Sequence, residues 1–152
     1  MDFIVTEINS VNVKELKDLA RDARADGYRF VQRTIDEWLL RINDFSKPGE
    51  HMYGISDENK FVAICGINVD PYMDDIYCGR VRHLYVHRDY RANGLSKILL
   101  KKTIKGAKKN FNRLRLYTNN DIAANLYEKL GFTQVKEHKA THSMNIKKNK
   151  TR

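Results

Sequence analysis

Two cysteines in a chain of 152 residues cannot build a disulfide scaffold. Cys65 and Cys78 each sit in or beside an apolar run, where a small buried thiol is the expected state. No pair of histidines stands at ligand spacing near either one, so no metal site is expected. The chain also lacks any apolar run approaching the roughly 18 residues that cross a bilayer. Its start, Met1-Asp2-Phe3-Ile4, has no basic region followed by an apolar core. A cytoplasmic protein with no membrane partner is expected. Repeats and low-complexity inserts are missing as well, apart from the lysine-rich end. Acidic residues are in deficit, 19 Asp and Glu against 28 Lys and Arg, which leaves a net charge of +9. That excess suits a polyanion, either a phosphorylated cofactor or nucleic acid. There is no helix-turn-helix, no zinc-finger spacing and no aromatic pair of an RNA-binding strand, so nucleic acid is not the expected partner.

What is present is globular material with its charge unevenly placed. Hydrophobic residues make up 41% of the chain and charged residues 31%, enough to bury a core without covalent bridges. One domain over 1–147 is expected, followed by a basic tail at 148–152 that should be disordered. Positive charge gathers between Lys97 and Arg115 and again in the tail. A solvated helix face accounts for this as readily as a binding patch.

Along the chain, alternation predicts a strand at 3–8, and Asn9 or Asn12 then caps a helix carrying Val13, Leu16, Leu19, Ala20 and Ala23 up to Gly27. A second helix is expected at 34–42. The connector at 27–33, with Tyr28 and Phe30 among basic residues, is either a lid over the core or part of a substrate wall. Pro48-Gly49 marks a turn, and strands follow at 52–56 and 61–69. The loop at 70–75 brings Asp70, Tyr72, Asp74 and Asp75 together. These carboxylates could hold a cationic amine or simply solvate a turn. Further strands are expected at 112–118, 132–136 and 142–146, with a helix at 122–130 capped by Asn120 and closed by Gly131.

The stretch 81–109 organises the rest. Residues 81–86 read as a strand, 87–96 as a loop with one glycine, and Leu95, Ile98, Leu99 and Lys102 recur at helical spacing after it. A helix opening straight from such a loop turns unpaired N–H groups outward beside the positive end of its dipole, which makes an anion site. Arg91 adds a fixed positive charge. Gly94 would let the backbone approach a ligand closely.

Two segments together resemble one family. Leu84-Tyr85-Val86 followed by Arg91-Ala92-Asn93-Gly94-Leu95-Ser96 is similar to the acetyl-CoA signature of the Gcn5-related N-acetyltransferases (GNAT), written Arg/Gln-x-x-Gly-x-Gly/Ala. Downstream, Asn120-x-x-Ala123-x-x-Leu126-Tyr127-Glu128-Lys129-Leu130-Gly131-Phe132 resembles the second conserved stretch of that family, at the right separation and in the right order. The resemblance implies a mixed α/β (α+β) domain with a mostly antiparallel sheet of six to seven strands and about four helices. It also implies an acyl-CoA-dependent N-acetyltransferase that moves an acetyl group from acetyl-CoA to a primary amine by direct attack. In this reading Leu84, Tyr85 and Val86 bond the pantetheine arm. Residues Arg91, Ala92, Asn93, Gly94, Leu95, Ser96 and Lys97 take the pyrophosphate, and Asn120 contacts the cofactor. Tyr127 protonates the departing thiolate. A non-catalytic module that binds acyl-CoA or nucleic acid is the alternative. Family members are often dimers, so a homodimer is compatible with the sequence.

Two positions depart from the family pattern. Ser96 replaces the usual Gly or Ala, a small residue whose hydroxyl can add a phosphate bond. Arg80 stands where histone-type members carry a glutamate base, and a guanidinium takes no proton at neutral pH. His83 on the same strand is then the candidate base, with Asp70, Tyr72, Asp74, Asp75 or a water relay as alternatives. The acceptor is left as a small cationic amine, or a protein lysine or N-terminus.

Overall fold

Alternating apolar residues build a central sheet whose two faces carry separate cores, and the computed structural model describes residues 2–146 of it. The basic tail expected at 148–152 lies outside the described residues. Strand β1 (Phe3–Glu7) leads through a 3₁₀ turn into α1 (Lys17–Ala25) and α2 (Phe30–Leu39). Then come β2 (His51–Asp57), β3 (Lys60–Val69), β4 (Cys78–Val86), α3 (Leu95–Ala107), β5 (Arg113–Leu116), α4 (Asp121–Lys129), β6 (Thr133–Glu137) and β7 (Ala140–Asn145). The strands lie in the order β1-β2-β3-β4-β5-β7-β6. All neighbours are antiparallel except β4 and β5, which run parallel. This is the mixed, mostly antiparallel α/β fold expected from the sequence.

Helices α1 and α2 cover one face, burying Leu19, Ala20, Ala23, Val31, Ile35 and Trp38 against Met52, Ile64 and Tyr85. Helices α3 and α4 cover the other, where Leu95, Leu99, Leu100 and Tyr127 meet Ile55, Cys65, Val81 and Leu114. A buried leucine or isoleucine contributes roughly 1.5–3 kcal/mol, so both faces help to hold the sheet. The second helix departs from its expected span. It begins at Phe30, so most of the 27–33 connector is its first turn, and its buried face stops at Trp38. Leu40 and Ile42 are 70% and 69% exposed, and Arg41 leaves the helix with φ 59°. Of the two expected caps, Asn9 accepts from the Val11 and Asn12 N–H groups at 2.9 and 3.0 Å, while the Asn12 side-chain oxygen caps no N–H of the 3₁₀ turn and accepts from the Asn9 N–H at 2.7 Å.

Two irregularities in β4 shape the site. Its parallel pairing with β5 is confined to Cys78, Gly79 and Arg80, opposite Arg113, Leu114 and Arg115, so from Val81 onward β4 splays away from β5. Against β3, Gly66 faces Arg82 and Ile64 faces Tyr85, so Cys65 stands opposite both His83 and Leu84. This β-bulge puts His83 at φ 63°, a left-handed conformation uncommon outside glycine. Among the described residues no helix is long and apolar enough to cross a membrane. No group of three or more His, Cys, Asp or Glu there could hold a metal ion.

Candidate active site

The loop expected to cradle an anion lies where β4 hands over to α3. Gly94 precedes the helix at φ 74°, and a Cβ there would meet nothing within 4 Å, so it is the backbone conformation that requires glycine while the space beside it stays open. No side chain caps α3, which leaves the first-turn N–H groups of Leu95, Ser96 and Lys97 available. Ala92 is also left-handed at φ 68°. Asn93 tightens the loop by donating its amide to the carbonyls of Tyr90 at 2.9 Å and Arg91 at 3.3 Å. Arg91 is already engaged: Nη2 bonds Asp26 at 2.6 Å and Nε bonds the Val86 carbonyl at 3.1 Å. Its charge is thus partly balanced, and it pins the end of β4 to α1.

Behind the loop lies a carboxylate that the sequence reading did not single out. Asp22, on the buried side of α1, accepts from the Tyr85 hydroxyl at 2.7 Å and from the Arg88 N–H and Nε, each at 3.1 Å. His87 Nε2 approaches it at 3.4 Å. Burial alone would raise its pKa, but the bonds from Tyr85 and Arg88 with the charge of His87 outweigh this and hold it below the usual value. The available signal was its spacing. Asp22 follows Leu19 by three and precedes Ala23, on a face that is otherwise apolar.

On the other side of the splay, Tyr127 is 7% exposed and shares a core with Leu84 and Val86. Burial, then the neighbouring Cys65, pushes its hydroxyl pKa up. That hydroxyl bonds to no described residue. Asn120 caps α4, its side-chain oxygen accepting from the Ala123 N–H at 3.0 Å. A cleft of about 530 Å³ opens beside this cap, lined in part by Thr118, Thr141 and His142.

The α2 face of β4 collects the remaining candidates. The ring of His83 stacks on Phe30 (centroids 6.1 Å, planes 24° apart), and Phe30 meets Tyr28 and Tyr85 edge-on at 5.8 and 5.9 Å. The bulge therefore turns His83 toward the aromatic residues of the α1–α2 corner. Its Nε2 is enclosed and unpartnered. Burial first, then the charges of Arg82 and Arg33, pulls its pKa down to about 3. Tyr72, in the loop between β3 and β4, sets its ring 4.9 Å from the Arg80 guanidinium. Asp74 is exposed and apart from these groups. Asp70 is not offered to a cationic amine, because it is 1% exposed and bonds Arg115 Nε at 2.9 Å with Arg80 at 3.5 Å. The sequence shows its neighbouring carboxylates but not the arginine 45 positions away.

The family model described as acetyltransferase (GNAT) family matches residues 14–132. A protein from Exiguobacterium sp. 255-15, assigned as an acetyltransferase, has a crystal structure that superposes with a TM-score of 0.83 at 27% identity, over 95% of this chain and 94% of that one. The PaiA N-acetyltransferase of Thermoplasma acidophilum, solved with coenzyme A, matches at 0.70 and 19% identity over 97% and 99%. The ribosomal-protein-S18-alanine N-acetyltransferase of Escherichia coli matches at 0.71 and 16% over 96% and 95%. The last two are likenesses of fold.

Proposed function

The chain belongs to the acetyltransferase (GNAT) family, and on that premise we propose that it acts in the cytoplasm, moving an acetyl group from acetyl-CoA to a primary amine by direct attack in a ternary complex. The observation that carries this reading is the open edge of β4 running into the uncapped first turn of α3. The edge offers peptide groups to the pantetheine amides, and the helix start offers N–H groups to the pyrophosphate. Open space at Gly94 and the small Ser96 fit a phosphate group there. Lys97, exposed at the helix start, supplies further positive charge.

Acetyl-CoA supplies the activated acyl group; the rest falls to this chain. A backbone N–H near Val86 stabilises the oxyanion that develops on attack. Tyr127 keeps its proton at neutral pH, since its pKa is raised, and donates to the departing sulfur. His83 is neutral at that pH and presents an unpartnered Nε2 on the acceptor side. Because its charged form is strongly disfavoured, it orients the amine by accepting a hydrogen bond, and the proton of the amine leaves to water. Cys65 and Cys78 are pushed up to about 12 and about 11 by burial, and a protonated thiol is a poor acyl carrier, which favours direct attack. Holding both reactants together supplies much of the acceleration.

Titration calorimetry with acetyl-CoA is the test. One-to-one binding that weakens with added salt is expected. Absence of heat at millimolar acetyl-CoA overturns the reading, and binding without CoA release in the presence of any amine identifies a non-catalytic module.

A further inference from the structure

The α2 face of β4 holds more positive charge than its own carboxylates neutralise. Arg80 and Arg82 lie two apart on the strand and share that face, and the bulge adds His83 to it. Arg80 is 8% exposed, yet its Nη1 has no hydrogen bond. Its ionic contact is the 3.5 Å approach to Asp70 Oδ2, an oxygen that already accepts from Arg115. One buried carboxylate thus serves two guanidiniums. Arg82, half-buried, donates to no described residue and feels Glu37 only at longer range. Arg33 on α2 adds its charge beside His83 and lines a cleft of about 690 Å³ with Arg24, Arg29 and a single carboxylate, Asp36.

Enclosed donors without partners are costly and rare in folded proteins, and they commonly mark places where a ligand completes the bonding. The planar fork of arginine matches a carboxylate or phosphate in particular. A cationic amine lacking an anion would meet net repulsion here, since the arginines outnumber the carboxylates. Building on the acetyl-transfer reading, we propose that the acceptor amine carries an anionic group, which docks between Arg82 and Arg80 after entering past Arg33. The amine end then lies toward the splayed end of β4, and His83 Nε2 gains a partner. An anion at this place also offsets the Arg82 and Arg33 charges that suppress protonation of His83. Carboxylate and phosphate share the required chemistry.

The test pairs amines that differ by one anionic group: lysine with cadaverine, ornithine with putrescine, tyrosine with tyramine, and phosphoethanolamine with ethanolamine. CoA release is measured on protein saturated with acetyl-CoA. The anionic member of at least one pair is expected to exceed its partner in kcat/KM by about tenfold or more, because a site built for a polar group rejects the analogue lacking it. A carboxylate pair answering identifies the anion as carboxylate; the phosphate pair alone answering identifies it as phosphate. Both support the site. Arg82→Gln and the exposed Arg33→Gln are expected to abolish the ratio, mainly through KM, with acetyl-CoA affinity unchanged. Equal or faster turnover of the neutral-tailed or cationic partners overturns the inference and leaves the acetyl-transfer reading standing. So does a ratio insensitive to both substitutions, or bound acetyl-CoA with no anionic amine turned over. Failure to bind acetyl-CoA is instead failure of the acetyl-transfer reading itself.

Discussion

The Tyr127 ring packs edge-on against Phe132, centroids 5.8 Å apart, while its hydroxyl bonds to no described residue. Ring and hydroxyl therefore separate cleanly under substitution. Tyr127→Phe keeps the packing and is expected to change stability by less than about 0.5 kcal/mol. If the hydroxyl protonates the leaving sulfur, kcat falls by roughly 10²-fold or more while KM for acetyl-CoA hardly moves. Steady-state kinetics together with a urea melt distinguish this from a packing role, in which kcat would stay near the wild-type value. Asn120 is a different case. Its side-chain oxygen already caps α4, so loss of that residue mixes about 1 kcal/mol of helix stability with any effect on binding.

Among elements, the decisive joint is the one that ties α1 to the end of β4. Asp22 gathers the Tyr85 hydroxyl and both the backbone and side chain of Arg88, which fixes the start of the loop leading to α3. Hydrogen bonds to a charged group are worth roughly 1.5–3 kcal/mol, so Asp22→Asn is expected to lower stability at pH 7 by about that much and to weaken acetyl-CoA binding by loosening the loop. A carboxyl whose pKa is lower in the folded than in the unfolded state adds stability at every pH above its unfolded value, near 3.9. That contribution disappears as pH falls through the folded value. The gap between wild type and variant should hold from pH 7 to about 5 and close under stronger acid, as measured by urea unfolding across pH. A gap that persists unchanged into acid would show that the charge of Asp22 is not what matters. The elements themselves were largely legible from periodicity and from Gly94 and Gly131, and the matched motifs pointed to the β4–α3 loop, where the uncapped helix start lies. The bulge was not, because φ 63° at His83 is imposed by pairing with β3 and nothing local in the residue demands it. That Arg80 and Arg82 share a face follows from simple alternation and was legible, whereas the approach of Asp70 to Arg80 was not.

At the scale of the whole molecule, the sheet is two blocks, β1 to β4 and β5 to β7, joined by three parallel residue pairs. The splay that opens the site leaves this joint short, so other contacts must carry load across it. Asp70, just past β3, reaches Arg115 on β5, and Arg115 in turn bonds Glu137 at 3.2 Å and the His138 carbonyl at 2.7 Å. One buried guanidinium thus links the β3–β4 loop to the β6–β7 hairpin. Asp70→Asn preserves shape but leaves Arg115, 1% exposed, and Arg80 without their shared charge. Breaking a buried pair in this way costs roughly 3–5 kcal/mol, and the low end is expected because Arg115 keeps Glu137. Glu137→Gln, nearer the surface, should cost much less. Urea unfolding of both variants checks the order. A loss below about 1 kcal/mol for Asp70→Asn would mean that the two apolar cores alone hold the blocks together across the open site.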